Sequence, residues 1–198
     1  MSTHEQLMNE YLRQRGVRPG YARQGGLFAV TAAEAAAMSF PYARQSRGGI
    51  VIPYFHPLTG EAHPTVRRIR FFDPLPTDSE GEEIRYIQPK GSGVEAYFDP
   101  NVDWASVLTD SRITIAITEG EVKAQHLNQR RDALGVVTVA LGGVWSFRSK
   151  DGDDLTPWLR ALREVGRARQ YVIAFDSDMA ENESIQAAAC TLWGLLAQ

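Results

Sequence analysis

Cysteine is almost missing from this chain of 198 residues: the single one, Cys190, excludes an internal disulfide and any cysteine-rich zinc ribbon. Its apolar helical surroundings point to a small core residue. Long hydrophobic runs are missing too. None approaches the ~20 residues that span a bilayer. Met1-Ser2-Thr3-His4-Glu5 has no charged n-region followed by an apolar h-region, so no secretory leader is expected. A cytoplasmic protein without membrane contact is the expectation. Nor is positive charge in excess: the net charge is −3, so any nucleic-acid contact has to come from a local basic patch. No internal repeat stands out. What remains is ordinary soluble composition, 43% hydrophobic and 23% charged, in a length that suits one large domain or two small ones.

The chain changes grammar near residue 105. Residues 1–105 mix short elements. Ser2 or Thr3 caps a helix carrying Leu7, Met8, Tyr11 and Leu12, stopped near Gly16. Thr31-Ala32-Ala33-Glu34 is a capping box. Strand 48–55 turns at Pro57-Leu58-Thr59-Gly60 into strand 65–72. A loop over 73–83 and a strand over 84–87 follow, which together describe a small antiparallel α+β unit. Residues 106–198 alternate instead: strand 113–118, a helix near 120–131, strand 136–141, a helix capped by Thr156 and ended by Gly166, strand 171–175, and a last helix over 183–196. That alternation predicts an α/β domain with a parallel sheet flanked by helices.

Two strand ends carry the chemistry. Ile113–Ile117 and Tyr171–Phe175 each read as a buried parallel strand, and they lead into Thr118-Glu119-Gly120-Glu121 and Phe175-Asp176-Ser177-Asp178. Ligand sites of open α/β sheets lie beyond the carboxyl ends of the strands. Glu119, Asp176 and Asp178 are therefore expected around one cleft, where oxygen ligands suit Mg²⁺, with Mn²⁺ as the alternative. Such a site points to work on phosphodiesters or nucleotides. The plainer alternatives are a helix N-terminal Glu119 and Asp178 as a helix cap. Glu121 is expected as a solvated helix residue. Lys123 is either a phosphate partner or an exposed helix lysine.

The basic patch lies on one strand. Arg68 and Arg70 share a face, whereas Arg67 points the other way with Ile69 and Phe71. Arg85 and Lys90 extend the surface. Contacts of this type hold phosphates without reading sequence; charge on an edge strand is the alternative. Tyr54, Phe55 and Tyr86 are expected in the core, His56 and His63 as exposed turn residues, and Trp104, Trp145, Trp158 and Trp193 as core or interface anchors.

In order and spacing these motifs resemble the Toprim family, shared by bacterial-type primases, topoisomerases and some nucleases. Glu119-Gly120 resembles its first acidic motif and Asp176-Ser177-Asp178 its Asp-x-Asp. Gly142-Gly143 resembles the glycine turn after its second strand. The earlier segments Gly49–Pro53, Arg67–Arg70 and Arg85–Pro89 resemble the region before that core in bacterial-type primases. The nearest resemblance, over residues 45–198, is to the Toprim-like domain of phage and plasmid primase–helicase proteins. It implies a Toprim-like, Rossmann-like sheet preceded by a small α+β subdomain. It also implies a DNA primase that joins nucleotides on a single-stranded DNA template, with Glu119 in acid/base support and Mg²⁺ on Asp176 and Asp178. A fused or associated replicative helicase would be the partner.

Lys123 stands where bacterial primases carry a further Asp. The acidic motif that follows Asp-x-Asp in those primases would lie beyond Gln198, which implies that this chain is a piece of a larger protein. A Toprim nuclease and a non-catalytic nucleic-acid-binding module are the competing expectations. An Asp-x-Asp phosphatase of the haloacid-dehalogenase type would open its fold with the motif, which here comes last. A dinucleotide-binding domain would need Gly-x-Gly-x-x-Gly after its first strand.

Overall fold

The computed structural model describes residues 2–165 and 169–198, except for the side chains of Ser177 and Asp178. The chain forms two compact units. One comprises Met1–Tyr54 and Ala62–Gly93; the other comprises Phe55–Glu61 and Val94–Gln198.

In the first unit, helix α1 (Thr3–Gln14) starts at a capping box between Ser2 and Glu5 and buries Met8 and Leu12. Helix α2 (Pro19–Gln24) has Pro at its first position, where no N–H is needed. Strand β1 (Phe28–Val30) leads to α3 (Ala32–Ala37), which opens on the Thr31/Glu34 capping box. Strands β2 (Gly49–Phe55), β3 (Ala62–Phe71) and β4 (Tyr86–Ile87) complete a sheet of order β1-β2-β3-β4. Strand β1 runs antiparallel to β2, and β3 antiparallel to β4, with Arg70 opposite Tyr86. Val30, Ala35, Phe40, Val51, Ile69 and Phe71 form its core.

Gly48 and Gly49 permit this sheet to close. Gly48 sits at φ +97°, and a Cβ there would stand 2.1 Å from the Val30 carbonyl oxygen. A Cβ on Gly49 would stand 2.4 Å from the Arg70 carbonyl oxygen. Only glycine allows backbone to approach backbone so closely.

The second unit is a mixed sheet flanked by helices. Its elements are β5 (Tyr97–Phe98), α4 (Trp104–Thr109), β6 (Thr114–Glu119), α5 (Glu121–Asn128), α6 (Arg131–Leu134), β7 (Val136–Leu141), α7 (Pro157–Val165), β8 (Tyr171–Ala174) and α8 (Glu183–Leu196). The strand order is β5-β7-β6-β8. Strand β6 pairs in parallel with β7 on one side and β8 on the other. Ile115, Ile117, Val139 and Leu141 are wholly buried, as near-continuous apolar runs require in parallel strands covered on both faces. Helix α5 packs on β7 and β6, α8 on β8, and α4 on α7.

Several sequence expectations need correction. The sheet is not purely parallel, because β5 pairs antiparallel with β7 through Tyr97↔Ala140 and Phe98↔Val139. Two residues are too few to show an alternation. The helix expected over 120–131 breaks after Asn128 into α5 and α6. The break frees the Asn128 side chain for β7, where its Nδ2 donates to the Thr138 carbonyl (2.8 Å) and its Oδ1 accepts the Thr138 N–H (2.7 Å). Cys190 is exposed rather than in the core, because α8 turns Ala188 and Leu192 inward instead. Trp145 and Trp193 are exposed by 37% and 56%, unlike Trp104 and Trp158, which are buried. Gly166, the expected end of α7, lies outside the described residues. Among the described residues no helix is long and apolar enough to cross a membrane.

Candidate functional site

The two acidic strand ends are neighbours in the second unit. Thr118 and Ala174 are paired across β6 and β8. The buried Thr118 hydroxyl also donates to the Ala174 carbonyl at 2.9 Å. Glu119 ends β6 opposite Leu141 of β7, and Asp176 lies two residues past the end of β8. Gly120, at φ +90°, makes the turn into α5 while its N–H donates to the Leu141 carbonyl at 2.9 Å. A side chain at that φ would be strained.

Helix α5 returns a positive charge to this edge. From its first turn Lys123 extends its ammonium to the Asp176 carboxylate, forming an ion pair. The two side chains keep 41% and 55% of their exposure, so solvent reaches the pair. The Asp176 carbonyl accepts the Met179 N–H at 3.0 Å within a 3-10 turn over Ser177–Ala180. The Asp178 side chain lies outside the described residues, and with it the expectation that Asp176 and Asp178 share a face.

Glu121 corrects an expectation: it is buried, with 1% exposure, rather than solvated. The turn at Gly120 directs the first residue of α5 inward, and a carboxylate is well placed at a helix N-terminus.

The donor chemistry at the strand ends fits a hard divalent cation. Glu119 and Asp176 supply carboxylate oxygens, and Mg²⁺ takes one or two of these with water and phosphate filling its remaining positions. The ammonium on Asp176 shows that this carboxylate already accepts a cation. Among the described residues no group of three or more His, Cys, Asp or Glu side chains encloses a metal site.

The glycine turn after β7 adds an aromatic rim. The Trp145 indole N–H donates to the Ser184 hydroxyl at 3.3 Å, and the Arg148 guanidinium lies 4.6 Å from the Trp145 ring centre.

A second carboxyl escaped the sequence reading altogether. Glu95 is 6% exposed, and its Oε2 accepts the Trp158 N–H at the start of α7 (3.4 Å). Burial pushes its pKa up to about 7, against the opposing hydrogen bond from Trp158. Trp158 is in turn met edge-on by His56 at 5.5 Å and Phe98 at 6.3 Å. An isolated Glu ahead of a two-residue strand gives no sequence signal for this.

The basic residues gather on the first unit. Arg68 lies over Tyr86 (5.2 Å), and Arg70 and Arg15 lie over Tyr11 (4.8 and 5.6 Å). The two phenol hydroxyls bond to each other at 2.8 Å. Arg67 is on the other face, where it donates to the Met38 carbonyl (3.1 Å) and lies 6.0 Å from the Phe40 ring centre. Arg85 is exposed and 3.9 Å from Glu83; Lys90 is exposed. Tyr11 read as part of the apolar stripe of α1, so its place between two arginines went unseen.

Residues 103–198 are similar to a family whose model bears the description Domain of unknown function (DUF3854). The match spans β6, β7 and β8, and with them Glu119, Lys123 and Asp176. No curated protein and no solved structure matches the chain.

Proposed function

We propose that the second unit is a Toprim-like catalytic domain of a phage- or plasmid-type DNA primase, carrying out Mg²⁺-dependent nucleotidyl transfer on single-stranded DNA. The observation that supports this reading most is the adjacency of β6 and β8, which brings Glu119 and Asp176 to the same carboxyl edge of a largely parallel sheet. That edge is where ligands bind in open α/β sheets.

The divalent ion, when bound, supplies electrostatic stabilisation of the phosphoryl group and lowers the pKa of a coordinated oxygen. The chain's own residues do the rest. Asp176 would hold the ion, with Asp178 and Glu119 as the further carboxylates. Glu119 exchanges the proton of the attacking or leaving oxygen. Arg68 on the arginine–tyrosine face of the first unit holds template phosphates, whereas Arg70 on that face is buried. A replicative helicase, fused or associated, fits the same reading.

Labelled single-stranded DNA with NTPs, dNTPs and Mg²⁺ or Mn²⁺ tests the proposal, with Asp176→Ala/Asp178→Ala and Glu119→Gln as controls. Metal-dependent longer or new products that vanish in the controls are expected. Shortened DNA that depends on the same residues would make the protein a Toprim-type nuclease. Binding without any change in the DNA would make it a non-catalytic module.

A further inference from the structure

Arg70 of the first unit is a buried cation, 9% exposed. Its guanidinium lies 4.8 Å from the Tyr11 ring centre. Among the described residues no hydrogen bond and no ion pair reaches that guanidinium. Arginine cannot shed its proton, and a buried charge is costly unless it is paired. Contact through a ring face spends none of its five N–H donors. Nor are those donors walled in. Arg67, Arg148 and Arg169 each seal an unbonded Nε from water, and Arg70 seals none. A buried guanidinium with idle donors and an open tip suits an anion.

The side chains around Arg70 are aromatic and cationic. Tyr11 and Tyr86 join through their hydroxyls at 2.8 Å; Arg15 lies over Tyr11 and Arg68 over Tyr86. Exposure is graded across the group. Arg15 is exposed, Tyr11, Tyr86 and Arg68 are half-buried, and Arg70 lies deepest. An internal phosphodiester carries one negative charge and draws a sugar in on either side. A terminal phosphate carries about 1.5 to 2 negative charges at neutral pH and enters end-on. We propose that Arg70 is the floor of a site for a terminal phosphate group, borne by the end of a nucleic-acid strand or by a free nucleotide. The inference rests on the phosphate-holding reading of this face given above, and it adds a preference for one class of phosphate.

Fluorescence anisotropy of internally labelled single-stranded DNA on the full chain tests this. Three probes share one sequence and carry a 5′-phosphate, a 3′-phosphate or no terminal phosphate. Wild type, Arg70→Gln, Arg70→Lys and Arg68→Ala are compared. Wild type should bind one phosphorylated probe about tenfold more tightly than the bare one, the size of one charge-assisted contact. Arg70→Gln should erase that preference and keep the affinity for the bare probe. Arg70→Lys should retain only part of it, because an ammonium lacks the guanidinium fork. Arg68→Ala should weaken all three probes alike. Displacement of the phosphorylated probe by AMP but not by adenosine supports the site and extends it to free nucleotides; a preference that AMP leaves untouched supports it for strand ends. Equal affinity of wild type for the three probes would overturn the terminal-phosphate site and leave the template-holding reading in place. That comparison needs no variant, so a poorly folding Arg70→Gln cannot hide the result. A preference that survives in folded Arg70→Gln would overturn the site too. No binding of any probe or of AMP by wild type would overturn the inference and the template-holding reading together.

Discussion

The side chain of Asn128 acts as a one-residue strand on Thr138, donating to its carbonyl at 2.8 Å and accepting its N–H at 2.7 Å. Strand β5 covers β7 only at Val139 and Ala140. Beyond that point the outer edge of β7 would have unmet backbone groups, and the amide satisfies both at Thr138. Removing it strands a buried donor and a buried acceptor. Asn128→Ala should therefore cost about 2–4 kcal/mol in urea unfolding. Asn128→Asp, which can accept but not donate, should also destabilise.

Glu95 sets a pH dependence of stability. Burial, the main cause, raises its carboxyl from 4.5 to about 7 in the folded chain. Between those values the unfolded state has released the proton while the folded state keeps it, so stability falls as pH rises through that window. The loss should be roughly 2–3 kcal/mol. Glu95→Gln mimics the protonated form. It should match wild type near pH 5, exceed it at pH 8, and flatten the profile between, as read by denaturant unfolding across that range.

Gly48→Ala should destabilise the first unit. Its φ of +97° is unfavourable for alanine, and the added Cβ would clash with the Val30 carbonyl. A cost of about 2 kcal/mol or more is expected from strain and displaced backbone, visible as a lower melting temperature.

Arg68 and Arg67 should separate in a salt titration of single-stranded DNA binding. Arg68 lies over Tyr86 on the arginine–tyrosine face, whereas Arg67 is tied to the Met38 carbonyl on the core side. Arg68→Ala should reduce the slope of log K against log salt by about 0.7 for each phosphate no longer neutralised. Arg67→Ala should leave the slope unchanged and lower stability instead.

The legible parts of this protein were those with local patterns. The apolar runs ending at Glu119 and Leu141, the capping boxes at Ser2 and Thr31, and the Pro157 helix start each carry their signal within a few residues. Strand β5 is two residues long and forms only because β7 offers an edge. Glu121 is buried because of the turn before it. Arg169, which donates to the carbonyls of Val107, Leu108 and Ile113, serves partners far away in sequence. The same holds at the candidate site. Both acidic strand ends were readable, but the ion pair of Lys123 and Asp176 depends on which strand lies beside β6. Strand order is not written in any local run.

That strand order also makes the two acidic ends mechanically unequal. Among the described residues, strand β6 is laced to neighbours on both sides, while β8 is laced on one side only. Glu119 therefore ends a strand held by ladders on both flanks, and Asp176 follows a strand held on one. A load on this edge would therefore meet two different supports: Glu119 is tied into the sheet from both flanks, whereas the turn that carries Asp176 follows a strand held from a single flank.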